Sequence, residues 1–299
     1  MLTWTASGAV QRPTTLQIRV QRAYPGRIRA GAPVPTRSMT PGELIANLDH
    51  FTRAMRGPRT TPCTTVVLSG VGVASRADVP ELIDRARGAG VDRVILHAGT
   101  EDLERFEPER FAGRVDRIVV PVQPGPGGGV LQQGRRVIRA CHEQGLAVTA
   151  STQLSALAIP QLPAVGRVLA AAEPESVVFT YPFPIAGNTA SEVPGVRATV
   201  QALGRVVPAL ERAGVRVDLK GLPACYLGDL ASRLRRTSNR FYVDADHQCD
   251  DALRFFPDVV AFTKTEDCRF CAADSRCDGF FATYLRRSGF PALAPLSQD

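Results

Sequence analysis

Short apolar runs alternate with longer amphipathic stretches along most of this chain. Leu16-Gln17-Ile18-Arg19-Val20 alternates with a period of two and predicts a strand. Thr40-Pro41-Gly42-Glu43 has the form of a capping box with proline at the first helical position. It opens an amphipathic helix through Leu44, Ile45, Leu48 and Phe51. Thr65 to Ser69 reads as a buried strand, and Ala77 to Gly90 as a helix capped by Asp78 with Glu81 three residues on. Val94 to His97 is the next strand and Asp102 to Phe111 the next helix. The rhythm continues with strand Arg117 to Pro121, helix Val130 to Gln144, strand Ala147 to Ala150 and a short helical passage around Leu154 to Leu157. Strand Ser176 to Thr180, helix Val196 to Ala213 and strand Val215 to Leu219 complete it.

Strands that alternate with helices imply parallel βαβ units, and about six fit here. That is enough for a partial or complete (β/α) barrel, with a doubly wound sheet as the alternative. From Gly221 onward the chain changes character. This tail holds five of the seven cysteines and the aromatic pairs Phe241-Tyr242, Phe255-Phe256 and Phe280-Phe281. The expected organisation is an N-terminal extension over 1–13, a barrel over 14–220 and a C-terminal extension over 221–299.

The tail carries the chemistry. Cys268, Cys271 and Cys277 follow a C-x2-C-x5-C spacing that ends at Gly279. Thiolates packed this closely repel one another unless a cation or a cluster shares their charge, and iron–sulfur clusters and zinc are the usual occupants. Cys225, in Gly221-Leu222-Pro223-Ala224-Cys225, is a candidate fourth ligand. Cys249, near His247 in Asp244-Ala245-Asp246-His247-Gln248-Cys249, competes for that role. That second stretch also reads as a polar turn before a helix from Asp251 to Phe256.

Composition narrows the picture. The 299 residues are 44% hydrophobic and 22% charged, without an apolar run of membrane-spanning length or the pattern of a secretory signal. A cytoplasmic protein whose cysteines bind metal or stay free is expected. The net charge of +7 comes almost wholly from arginine, since all but two of the 36 Lys and Arg residues are Arg. These arginines are scattered and not interleaved with aromatics, so nucleic acid is set aside as a partner. The glycine-rich loop Pro124 to Gly129 lacks the Lys and Ser/Thr of a phosphate loop and reads as a connection. His97 and Asn188 would sit at strand ends on the rim of a barrel, where structural hydrogen bonding is their commoner fate. Glu101 and Asp102 suit a helix N-terminus.

Two regions together resemble the radical S-adenosylmethionine (radical SAM) superfamily. The first is Thr65-Val66-Val67-Leu68-Ser69-Gly70-Val71-Gly72 with Ser75-Arg76-Ala77-Asp78 and the helix that follows. The second is Gly221 to Cys225 with Cys268-x2-Cys271-x5-Cys277-Asp278-Gly279 and Tyr284. The resemblance implies a partial (β/α) barrel of the radical SAM type with a C-terminal cluster-binding extension. It implies Cys225, Cys268, Cys271 and Cys277 as ligands of one auxiliary [4Fe–4S] cluster. It also implies Ser69, Gly70 and Gly72 as the strand-end turn that meets the amino group of S-adenosyl-L-methionine, though the acidic residue of the family's turn is absent. The family's C-x3-C-x2-C motif is absent as well: Gln21 to Ala32, the loop after the first strand, has no cysteine. Without that cluster there is no 5′-deoxyadenosyl radical. The expected function is therefore a degenerate radical-SAM-like iron–sulfur protein in peptide or natural-product modification. Its expected partners are a peptide or small-molecule substrate and an active radical SAM enzyme. The alternative is a non-catalytic substrate- or partner-binding protein whose cysteines hold a structural cluster or zinc.

Overall fold

The computed structural model describes residues 13–23, 36–53, 62–124, 129–184, 193–236, 240–254, 262–286 and 290–297. Its strands are β1 (Thr15–Arg19), β2 (Gln21–Ala23), β3 (Thr36–Ser38), β4 (Thr65–Ser69), β5 (Arg93–His97), β6 (Arg117–Pro121), β7 (Val148–Gln153), β8 (Ser176–Thr180), β9 (Arg216–Lys220), β10 (Phe241–Val243), β11 (Leu253–Arg254), β12 (Phe262–Thr263) and β13 (Phe280–Phe281). The helices are α1 (Pro41–Thr52), α2 (Val79–Gly88), α3 (Gly129–Glu143), α4 (Leu162–Ala172), α5 (Val196–Arg212), α6 (Ala224–Leu227) and α7 (Ala282–Leu285). Nine strands form one mostly parallel sheet, as the strand–helix alternation predicts. The chain divides into two compact units, with α3 and β7 shared between them. The first comprises 1–121, 139–148 and 239–259; the second comprises 122–138, 149–238 and 260–299.

In the first unit β10, β1, β4, β5 and β6 lie in that order, paired in parallel, and β11 adds antiparallel to β10. Leu16 and Ile18 of β1, Val66 and Leu68 of β4 and Val94 and Leu96 of β5 are buried. So are Leu44, Leu48 and Phe51 of α1 and Leu82, Ile83 and Ala86 of α2. The alternation seen in the sequence is thus the inside face of each element. The capping box of α1 is present: Thr40 Oγ1 accepts from the Glu43 N–H at 3.2 Å and Glu43 Oε2 accepts from the Thr40 N–H at 2.7 Å.

The second unit pairs β7, β8 and β9 in parallel. Helices α4 and α5 pack closely, because Gly166 of α4 leaves room for Val206; a β-carbon there would lie 2.7 Å from Val206 Cγ1. Apolar Leu162, Val165 and Leu169 are the buried stripe of α4.

Several expectations differ. Helix α4 has no counterpart in the sequence prediction, because Arg167 is its one charged residue and small apolar residues fill most of both faces. The helix expected over Asp102 to Phe111 is two 3-10 turns, Thr100–Arg105 and Pro108–Arg110, with Pro108 at the start of the second. The helical passage around Leu154 to Leu157 is a turn, followed by a 3-10 turn over Ile159–Gln161. Asp78 does not cap α2 with its side chain; it binds Arg76 at 2.6 Å. The helix from Asp251 is instead a 3-10 turn, Cys249–Asp251, leading into β11. The middle of the glycine-rich loop and Asn188 lie outside the described residues.

Asp102 ties the turn after β4 to the turn after β5. It is fully buried and accepts from the Gly99 N–H at 2.7 Å, the Ala74 N–H at 3.1 Å and the Ser75 hydroxyl at 3.2 Å. Burial pushes its carboxyl above the ordinary range, and those hydrogen bonds oppose the shift. Asp102→Ala orphans three donors and should lower stability by about 3 kcal/mol in denaturant titration. Exposed Glu101→Ala should stay within about 0.5 kcal/mol.

Candidate metal centre

The short strands β12 and β13 and the turn before α6 bring the tail cysteines together. Lys220 ends β9, and Gly221 then turns the chain with φ near +82°, its α-carbon pressed against Tyr181. Pro223 leads into the one-turn helix α6, which carries Cys225. On the other side β12 and β13 pair antiparallel, Phe262 opposite Phe281 and Thr263 opposite Phe280. Cys268 and Cys271 lie on the loop after β12, and Cys277 lies just before β13. Gly279 holds the return, with φ near +83° and no room for a side chain: a β-carbon would sit 2.1 Å from the Thr263 carbonyl oxygen.

Cys225, Cys268, Cys271 and Cys277 line one pocket, partly open to solvent, together with Ala224, Lys264, Asp274, Leu293 and Pro295. An aromatic cluster adjoins these residues in the chain, beginning at Tyr226 beside Cys225 and at Phe280 beside Gly279. Fully buried Phe280 meets Tyr226, Tyr181, Tyr284 and Phe290, and Tyr284 donates to the Pro182 carbonyl at 3.0 Å. All seven cysteines of the protein are free thiols.

Backbone N–H groups point at these sulfurs. Cys277 Sγ accepts from Gly279 at 3.3 Å and from Ala224 at 3.5 Å. Cys271 Sγ accepts from Leu296 at 3.3 Å and from Ala273 at 3.4 Å. Thr265 Oγ1 lies 3.3 Å from Cys268 Sγ. Burial pushes the thiols of Cys225 and Cys277 above their ordinary range. The N–H of Ala294 opposes this at Cys225; those of Ala224 and Gly279, and the Lys264 charge, oppose it at Cys277. Donors are thus arranged for thiolates in a place where burial alone favours thiols.

Among the described residues no three His, Cys, Asp or Glu side chains converge closely enough to hold a single metal ion. The four cysteines line one pocket. A tetrahedral zinc site, with Zn–S of about 2.3 Å, draws its sulfurs to about 3.8 Å of one another. A [4Fe–4S] cluster takes one thiolate at each of its irons and so needs sulfurs around a space. Four cysteines on one pocket match the donor set of a [4Fe–4S] cluster, and that of a four-cysteine zinc site as well.

The remaining cysteines have other places. Cys249, in the first unit, has φ near +49° and donates its N–H to Asn47 Oδ1 at 2.7 Å. Buried Asn47 also donates to Gln248 Oε1 at 2.9 Å, so this turn is pinned to α1. Cys63 and Cys141 are buried, and Cys141 is pushed up to about 12 by burial, which makes it an inert thiol.

The strand-end turn also belongs to the first unit. Ser69 closes β4, its hydroxyl accepting from Gln17 Nε2 at 3.0 Å and donating to the Ile18 carbonyl at 3.4 Å. Gly70, with φ near +122°, lies so close to Gln21 that a β-carbon would sit 2.7 Å from its carbonyl oxygen. Gly72, with φ near +65°, starts the next turn. His97 ends β5, half-buried.

No protein-family model matches the chain, and no curated protein does. Solved structures do. Streptococcus suis SuiB bound to the precursor peptide SuiA aligns with a TM-score of 0.61 at 9% identity, over 97% of this chain and 76% of that one. SuiB bound to S-adenosylmethionine gives 0.60 at 8% identity, over 95% and 77%. Hexahistidine-tagged anSMEcpe with bound AdoMet gives 0.57 at 10%, over 96% and 90%. The fold is that of the radical SAM enzymes.

On this radical SAM fold the sequence prediction placed Cys225 with the trio through resemblance, and the pocket holds all four. It missed the sulfur-directed N–H groups of Ala224, Ala273, Gly279 and Leu296, which no side chain advertises. It also missed Lys264 and Asp274. One signal was present: Lys264 is one of only two lysines, with Lys220, in an arginine-rich chain. Gly279→Ala forces the β12–β13 return apart and should cost at least about 2 kcal/mol by thermal or chemical denaturation, well beyond a surface substitution.

Proposed function

We propose that this chain is a radical-SAM-like iron–sulfur protein that acts in peptide or natural-product modification together with a partner enzyme. The observation that carries this reading is the pocket of four cysteines with backbone N–H groups aimed at two of the sulfurs. Cys225, Cys268, Cys271 and Cys277 are the residues that would hold a [4Fe–4S] cluster. When bound, such a cluster supplies one-electron transfer or an iron site for a ligand. The protein's part is to keep four thiolates half-buried, hydrogen-bonded and backed by Phe280 and its aromatic neighbours, which limits solvent and sets the potential. A peptide as substrate follows by analogy with SuiB, whose structure contains the precursor peptide SuiA.

Dependence on a partner rests on the first strand's loop. Where radical SAM enzymes place three cysteines, this chain has none between Gln21 and Ala32. The described part of that segment is committed to other work. Strands β2 and β3 form a small hairpin, and Arg22 binds the fully buried Asp244 at 2.9 Å. Arg37 binds Asp246 at 2.6 Å. In this reading S-adenosyl-L-methionine meets Ser69, Gly70 and Gly72 at the end of β4, as a ligand and not as a radical source. The same cysteine-free loop favours a second reading, a non-catalytic substrate- or partner-binding protein whose four cysteines hold a structural cluster or zinc.

Anaerobic reconstitution with iron and sulfide tests the first reading. About four irons per chain are expected, as one cubane requires. The double variant C268A/C271A should lose the visible absorbance. Stoichiometric zinc in a colourless protein would refute the iron assignment, and about eight irons would refute the degenerate loop. Calorimetry with S-adenosyl-L-methionine should show binding without release of 5′-deoxyadenosine under dithionite; absence of binding leaves the second reading.

A further inference from the structure

Lys264 stands on the wall of the cysteine pocket, one of two lysines in a chain where every other basic residue of the Lys/Arg pair is arginine. It follows β12 directly, so the β12–β13 pairing fixes its backbone. Gly279 opposite has no side chain, and a β-carbon there would lie 2.9 Å from Lys264 Cγ. The glycine that allows the return of the chain therefore also admits the lysine stem. The ammonium is held at its far end: Nζ donates to Asp274 Oδ1 at 2.6 Å and to the Asp274 carbonyl at 3.0 Å. Asp274 lines the same pocket. The two side chains are 29% and 44% exposed, so water screens the pair incompletely.

Arginine is a poor substitute at such a place. An ammonium is a compact point charge with three rotatable donors, whereas a guanidinium is a broad planar fork. The wall thus presents one compact cation and one anion to four sulfurs. Adding an electron to a cluster held by four thiolates makes a negative group more negative. A nearby cation stabilises the reduced form and a nearby carboxylate disfavours it, since net charge is one of the levers on cluster potential.

We propose that Lys264 and Asp274 tune the reduction potential of the cysteine site in opposite senses, Lys264 raising it and Asp274 lowering it. This rests on the iron–sulfur reading above. Both are positioning residues that act through charge without ligating iron.

The test is an anaerobic redox titration, with dithionite as reductant, of the reconstituted protein and three variants, each checked for iron content. Lys264→Gln should make the cluster harder to reduce, by about tenfold in the reduction equilibrium, which is 59 mV for a one-electron couple. Asp274→Asn keeps the bond from Lys264 to the backbone carbonyl and should shift the potential upward. Lys264→Arg keeps the charge and should return most of the wild-type value. A role in packing alone predicts no opposite-signed pair of shifts. Iron-loaded variants with coincident potentials, or shifts of the same sign, overturn the charge assignment while leaving the iron–sulfur reading intact. A wild-type protein that takes zinc and no iron overturns both. Where Lys264→Gln fails to fold, Asp274→Asn alone decides: an unchanged or lowered potential overturns the proposal.

Discussion

Sulfur acidity under burial is the constraint on which the cysteine site depends. Burial favours the neutral thiol at Cys225 and Cys277, whose acidity is lowered in that sense. The surrounding backbone is arranged against that tendency. Gly221 and Gly279 take conformations open to glycine, and the turns they allow direct N–H groups of Ala224 and Gly279 at Cys277. Leu296 and Ala273 do the same at Cys271. These N–H groups oppose the effect of burial, and a positive centre among the sulfurs would do so further.

In the first unit, buried charge is handled by pairing. The hairpin of β2 and β3 is anchored through Arg22 and Arg37 to Asp244 and Asp246. Asp244 in turn accepts from the backbone of Asp246 and His247 and pairs with the His247 ring. A fully buried carboxylate with this many partners is costly to disturb. Strand β10, which precedes that turn, pairs directly with β1. The described strands on either side of residues 24–35 are thus tied to the turn that follows β10.

Much of the architecture was legible in the sequence, for a plain reason. β4, β6 and β8 are unbroken apolar runs, and β1 alternates, so periodicity alone located them. α1 announced itself through Thr40 and Glu43. Legibility failed where the deciding partner was remote or where contrast was low. α4 hides in a run of small apolar residues, and its partner Val206 lies forty residues on. β10 is three residues long and owes its state to β1, more than two hundred residues earlier. Asp78 sat in a capping position, but Arg76 two residues before it was the better partner. At the cysteine pocket the three clustered cysteines were visible from spacing, while Cys225 came only through family likeness. The N–H donors were invisible because any residue carries one.

The donors to the sulfurs come partly from the last described stretch of the chain. Leu296 supplies an N–H to Cys271, Ala294 opposes the burial of Cys225, and Leu293 and Pro295 line the pocket. During synthesis all four cysteines emerge before any of these residues. A chain stopped at residue 290 would carry all four cysteines and lack the N–H of Leu296 and the wall formed by Leu293 and Pro295. The N–H donor to Cys271 and part of the pocket wall are thus supplied last, by a stretch of chain that contains no cysteine.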